Sequence, residues 1–65
     1  MKAKDLVKRI IKITGLPEQE AFGSLISFRT EVRLIRDSSG DIKSEEYPDY
    51  TDDNIRYRLR NMGYL

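Results

Sequence analysis

Lys4, Lys8 and Lys12 recur every four residues, a spacing that stacks three ammonium groups along one face of a helix. Like charges placed so repel by roughly 0.2–0.5 kcal/mol per pair. A phosphate backbone would relieve that repulsion, because lysine meets it as a point charge blind to sequence. A second set lies near the other end, where Arg56 and Arg60 share one helical flank, with Arg58 on the other and Tyr57 opposite the core. Guanidinium groups grip phosphates or base edges with two parallel hydrogen bonds, and a tyrosine ring can stack on an unpaired base. Lys4, Lys8, Lys12, Arg56 and Arg60 are therefore the candidate nucleic-acid-binding residues. The plainer alternatives are a solvated helix face for the lysines and an intrahelical ion pair from Asp52 to Arg56.

The stretch from Glu45 to Asp53 has the opposite character. Glu45, Glu46, Tyr47, Asp49 and Tyr50 set two aromatic rings among carboxylates, the composition of a protein-partner surface with Tyr47 and Tyr50 as anchors. A sharper version is a nucleic-acid mimic whose carboxylates enter a basic groove on another protein. The plainer alternative is a loop that neutralises the basic helices and caps the last one.

Other chemistry is poorly provided for. The chain has no histidine and no cysteine, which excludes Ser-His and Cys-His nucleophiles, cysteine-built zinc sites and a histidine pH switch. Asp37-Ser38-Ser39-Gly40-Asp41 is oxygen-rich, but Ile42 stands where a calcium loop requires glycine. No glycine-rich phosphate loop occurs, and pairs such as Glu18 with Glu20 come without a sign of a pocket. The expectation is a non-enzymatic domain with no metal and no cofactor.

Charge along the chain is polarised. Twelve Lys and Arg against eleven Asp and Glu give a net +1, yet this sum averages opposed blocks. Residues 1–16 carry +4, residues 17–36 balance, residues 37–54 carry −6 and residues 55–65 carry +3. No apolar run approaches the roughly 18 residues of a membrane span, so no membrane partner is expected, and a chain free of cysteine fits a reducing cytoplasm. Residues 1–65 read as one small domain. A chain this short hides only about 60% of its unfolded surface, so its core is thin and association as a homodimer would help it.

These side chains need elements to position them. Ala3 to Thr14 reads as an amphipathic helix, with Leu6, Val7, Ile10 and Ile13 on one side and the charges on the other. Gly15 and Pro17 close it. Leu16 to Phe22 can open a second short helix. Ser24 to Arg36 fits two periods: Ile26, Phe28, Thr30, Val32 and Leu34 alternate as in a strand, while Ala21, Leu25, Phe28, Val32 and Ile35 make a helical stripe. Its β-branched and aromatic residues and the Asp37–Asp41 turn favour a hairpin over about 24–36 and 41–46. Thr51 to Met62 reads as a closing helix with Ile55, Leu59 and Met62 inward, capped by Thr51 and by Gly63. The expected class is α+β; an all-α three-helix domain is the alternative. A long alternating edge at Ile26 to Leu34 would be the pairing surface of a homodimer.

Asn54-Ile55-Arg56-Tyr57-Arg58-Leu59-Arg60-Asn61-Met62-Gly63-Tyr64-Leu65 resembles the recognition-helix end of winged-helix domains, where a helix with scattered arginines runs into Gly-Tyr-Leu and a wing. No wing follows within these residues. The order of basic helix, strands and closing helix also resembles small RNA-binding toxins of the HicA type. Their activity depends on a histidine in the strands, and this chain has none.

Overall fold

A computed structural model describes residues 1–65. Helix α1 covers Ala3–Thr14, α2 covers Glu18–Gly23, and a 3-10 segment covers Ser24–Glu31. Strands β1 (Arg33–Arg36) and β2 (Ile42–Glu46) follow, and α3 (Asp52–Asn61) closes the chain. Three helices with one antiparallel hairpin make this an α+β domain, and the hairpin removes the all-α alternative.

Local chemistry sets the ends of α1 and α3. Gly15 takes the left-handed conformation at φ 74°, and its N–H donates to the Ile11 carbonyl at 2.8 Å. The Thr51 hydroxyl accepts from the Asn54 N–H at 3.2 Å, and Asp52 and Asp53 oppose the helix dipole in the first turn of α3. Gly63 turns at φ 85°, and the Tyr64 N–H reaches the Leu59 carbonyl at 2.9 Å. Tyr64 also donates its hydroxyl to the Gly23 carbonyl at 3.2 Å, tying the C-terminal end to α2.

The region 24–36 departs from the sequence expectation. Strand geometry is confined to Arg33–Arg36, and Ser24–Glu31 is helical. The long edge strand from Ile26 to Leu34 is therefore absent. Alternation would bury Ile26, Phe28 and Leu34 together, whereas Phe28 is fully buried and Ile26 and Leu34 are exposed. The helical reading holds only up to Glu31: Ala21 and Phe28 of its stripe are buried and Leu25 is partly buried, while Ile35 is exposed in β1. Ser24, outside that stripe, also enters the core, and α1 and α3 supply the covering surface that a lone hairpin lacks. The second strand begins at Ile42 rather than Asp41.

The core joins Leu6, Val7 and Ile10 of α1, Ala21 of α2, Phe28, Tyr47, Tyr50, and Ile55 and Leu59 of α3. The molecule is elongated, 39 × 19 × 17 Å, and all four residues of β1 are exposed, so the hairpin extends beyond this core. Its register pairs Arg33 with Glu46, Leu34 with Glu45 and Ile35 with Ser44, then slips so that Arg36 meets Ile42. At its base Lys2 bridges to Glu46, and the Tyr47 N–H donates to the Met1 carbonyl at 2.7 Å. At its tip the Asp37 carboxylate accepts from the N–H groups of Ser39 and Asp41, each at 3.0 Å, and from the Ser39 hydroxyl at 2.7 Å. The Ser39 hydroxyl is the main cause that holds the Asp37 carboxyl below the ordinary carboxylate range.

Candidate functional site

Packing of α1 against α3 creates a cleft of about 320 Å³ lined by Arg9, Lys12, Ile13, Asp52 and Arg56. Arg9 organises its floor. One guanidinium nitrogen donates to the Tyr50 carbonyl at 2.6 Å and reaches Asp49 at 3.5 Å, and the other meets Asp52 at 2.5 Å. Arg9 thus fastens the start of α3 to the middle of α1. Asp52 is held by Arg9 rather than by Arg56, which pairs with Asp53 at 3.2 Å.

Of the five cations expected to meet nucleic acid, Lys12 and Arg56 share this cleft. Lys4 and Lys8 continue the row along the exposed face of α1, and Arg60 stands one turn beyond Arg56 on α3. They line no common groove with the first two. The ion pairs of the molecule use Met1, Lys2, Arg9, Arg56 and Arg58 as cations, so Lys4, Lys8, Lys12 and Arg60 stand unpaired. The hairpin adds exposed Arg33, Arg36 and Lys43, also outside any ion pair.

The acidic stretch is folded inward. Tyr47 and Tyr50 retain 3% and 7% exposure and belong to the core. Tyr50 packs on Phe28 with ring centroids 5.0 Å apart, and the Arg58 guanidinium lies 4.7 Å from the Tyr50 ring centroid. Arg58 is itself held by Asn54 at 2.7 Å and by the Glu31 carboxylate. Burial, followed by the nearby Glu31 charge, pushes the Tyr50 phenol up to about 12. Its buried hydroxyl faces the Glu31 carboxylate but meets no partner in good hydrogen-bond geometry. The Arg58 hydrogen bond holds Glu31 below its ordinary value.

Tyr47 donates its hydroxyl to Glu45 at 3.1 Å, and burial raises its phenol too. Glu46 meets Lys2 at 2.5 Å and the Met1 amine at 3.3 Å, and the Lys2 contact is the main cause of its lowered carboxyl. Among the five residues expected to meet a protein partner, the two tyrosines are turned into the core and Glu46 is tied to the N-terminal turn. Asp49 touches only Arg9, at 3.5 Å, and its side chain remains 95% exposed.

Arg9 and Arg58 carry more of the local structure than sequence reasoning assigned them. Arg9 lies at the border of the apolar stripe of α1, where a long side chain can run along a neighbouring helix. Arg58 sits on the flank of α3 away from Arg56, and that asymmetry was the available signal. A second cleft of about 350 Å³ is lined by Ser27, Asn54, Tyr57, Arg58, Asn61 and Met62. The buried Ser27 hydroxyl lacks a hydrogen-bond partner, and no carboxylate among the lining residues could activate it. No group of three or more His, Cys, Asp or Glu side chains is placed to hold a metal ion. No helix is long and apolar enough to cross a membrane.

No family model, curated protein or solved structure matches the chain.

Proposed function

We propose that this chain is a small non-enzymatic domain that binds the phosphate backbone of a nucleic acid. Lys12 and Arg56 are the centre of the contact, and Lys4, Lys8 and Arg60 extend it. The observation that supports this reading most is the division of charge. Asp49 and Asp52 are engaged by Arg9 and Glu46 by Lys2, while Lys12 beside the α1–α3 cleft is left without a carboxylate partner. A phosphate entering that cleft would meet Lys12 and Arg56 together. The acidic stretch is the weaker candidate for a partner surface, because its two aromatic anchors lie in the core. A reducing cytoplasmic setting suits a chain without cysteine.

Fluorescence titration against labelled duplex and single-stranded DNA and RNA tests the proposal. Binding at low salt is expected to weaken steeply as salt rises, with a log–log slope of about −3 if three or four phosphates are neutralised. Lys12→Glu combined with Arg60→Glu should remove most of that slope. Absence of binding to every one of these probes at low salt would overturn the assignment.

A further inference from the structure

The cleft between the 3-10 segment and α3 suits a neutral, flat ligand. Its volume of about 350 Å³ is large enough for a small planar group. The one charge that lines it, the Arg58 guanidinium, is already matched by Glu31 and held by Asn54, and no carboxylate lines it. A free ion of either sign therefore meets no unmatched opposite charge there. What the cleft offers instead is hydrogen bonding and a ring. The Asn54 oxygen accepts from Arg58, which leaves its NH2 group as a donor, and Asn61 adds a second amide one helical stretch along. The buried Ser27 hydroxyl has no partner of its own. The Tyr57 ring, 62% exposed, supplies a face on which another planar ring can stack.

The position of the cleft on α3 says which planar group this is. At about 100° per residue, α3 presents Arg56, then Arg60 about 40° further round, Tyr57 at about 100° and Asn61 at about 140°. Arg56 belongs to the basic cleft with Lys12, and Tyr57 and Asn61 belong to this one. Arg60, exposed and outside any ion pair, stands between them. One side of α3 thus passes from cations to a stacking ring flanked by amides. A chain of anionic groups that carries neutral planar rings matches that order.

We propose that this cleft receives an unpaired base of a single-stranded nucleic acid, stacked on Tyr57 and hydrogen-bonded by Asn54 and Asn61, with the adjoining phosphates on Arg60 and Arg56. The proposal rests on the backbone contact at Lys12 and Arg56 and narrows its ligand to a single strand, because a base paired within a duplex has neither a free face nor a free Watson–Crick edge.

Fluorescence anisotropy with labelled oligothymidylate and with an abasic strand of equal length separates base from backbone. Both strands carry the same phosphates, so a backbone contact alone would hold them equally. The base-bearing strand is expected to bind about tenfold more tightly. Tyr57→Ala should abolish that difference and Tyr57→Phe should keep it. The ring is exposed, so both variants should retain the helical circular dichroism of the parent. Thymidine monophosphate, which has the base without the neighbouring phosphates, should bind far more weakly than the strand. Equal affinity for the two strands overturns the base site while leaving the backbone contact standing, as does a preference for the base-bearing strand that Tyr57→Ala leaves intact. A monophosphate held as tightly as the strand overturns the path from Arg56 to Tyr57. Absence of binding to both strands at low salt overturns the base site and the backbone contact together.

Discussion

The acidic stretch from Glu45 to Asp53 and the lysine row of α1 have similarly high charge density but opposite fates on folding. In the acidic stretch Glu46, Asp49, Asp52 and Asp53 all find cationic partners, and the tyrosines between them enter the core. Along α1, Lys4, Lys8 and Lys12 find none. The stretch is a connection that must cross the body between β2 and α3, so its side chains are drawn onto neighbours on both sides. The lysines are fixed by helical periodicity on the face away from Leu6, Val7 and Ile10, where all three stay exposed and only Lys12 reaches the cleft beside α3. Charge density in sequence therefore says little about availability; position relative to the core decides it.

The largest disturbance to this contrast comes from the aromatic member of the stretch. Tyr50→Ala removes a buried ring that packs on Phe28 and carries Arg58 above it. A loss of about 3 kcal/mol or more is expected. That is much of the roughly 3–10 kcal/mol that stabilises a chain of this length. Tyr50→Phe is the sharper companion: it keeps the ring and deletes a buried hydroxyl without a hydrogen-bond partner, so urea denaturation should place it within about 0.5 kcal/mol of the parent. A Tyr50→Ala variant as stable as the parent would return the stretch to the surface.

A smaller effect separates the paired carboxylates from the rest. Glu46, Glu31 and Asp37 have folded-state values lowered from 4.5, 4.5 and 3.8 by their hydrogen-bond donors. The unfolded chain therefore takes up protons first as the pH falls. Their contribution to stability is full above those ordinary values and is lost as pH drops through the lowered ones. Denaturation midpoints from pH 7 to pH 3 should fall, and Glu46→Gln should flatten part of the fall. An equal slope in that variant would show that Lys2 does not hold Glu46 in solution.

The contrast also explains what sequence could disclose. α1 and α3 are legible because periodicity and caps agree within a dozen residues: Gly15, Thr51 and Gly63 take the roles their types suggest, although Met62, expected to face inward with Ile55 and Leu59, lies past the end of α3 and is 51% exposed. Ser24 to Glu31 is not legible, since its residues satisfy two periods and the choice rests on Phe28 packing beneath Tyr50, far along the chain. The lysine row is legible as a helix face. The Arg9 clamp is not, because its partners Asp49 and Asp52 lie some 40 residues away and only the finished fold brings them near. The inward turn of Tyr47 and Tyr50 is hidden for a related reason: each directly follows a carboxylate, Glu46 or Asp49, and nothing local marks them as core.

The smallest expected effect is the most telling about the lysines. Replacing Lys4, Lys8 and Lys12 together by Gln removes no ion pair and deletes two like-charge contacts of roughly 0.2–0.5 kcal/mol each. Glutamine is about as good a helix former as lysine, and none of the three side chains packs into the core. The triple variant should therefore be as stable as the parent or slightly more so at low ionic strength. The difference should shrink in about 1 M salt, where screening acts over about 3 Å. A loss above about 1 kcal/mol would mean that these lysines hold the fold. Stability retained while nucleic-acid binding disappears would instead separate the row from folding. The acidic stretch cannot pass the same test, because Glu46 and Asp52 are fastened to Lys2 and Arg9 and its aromatic rings form part of the core.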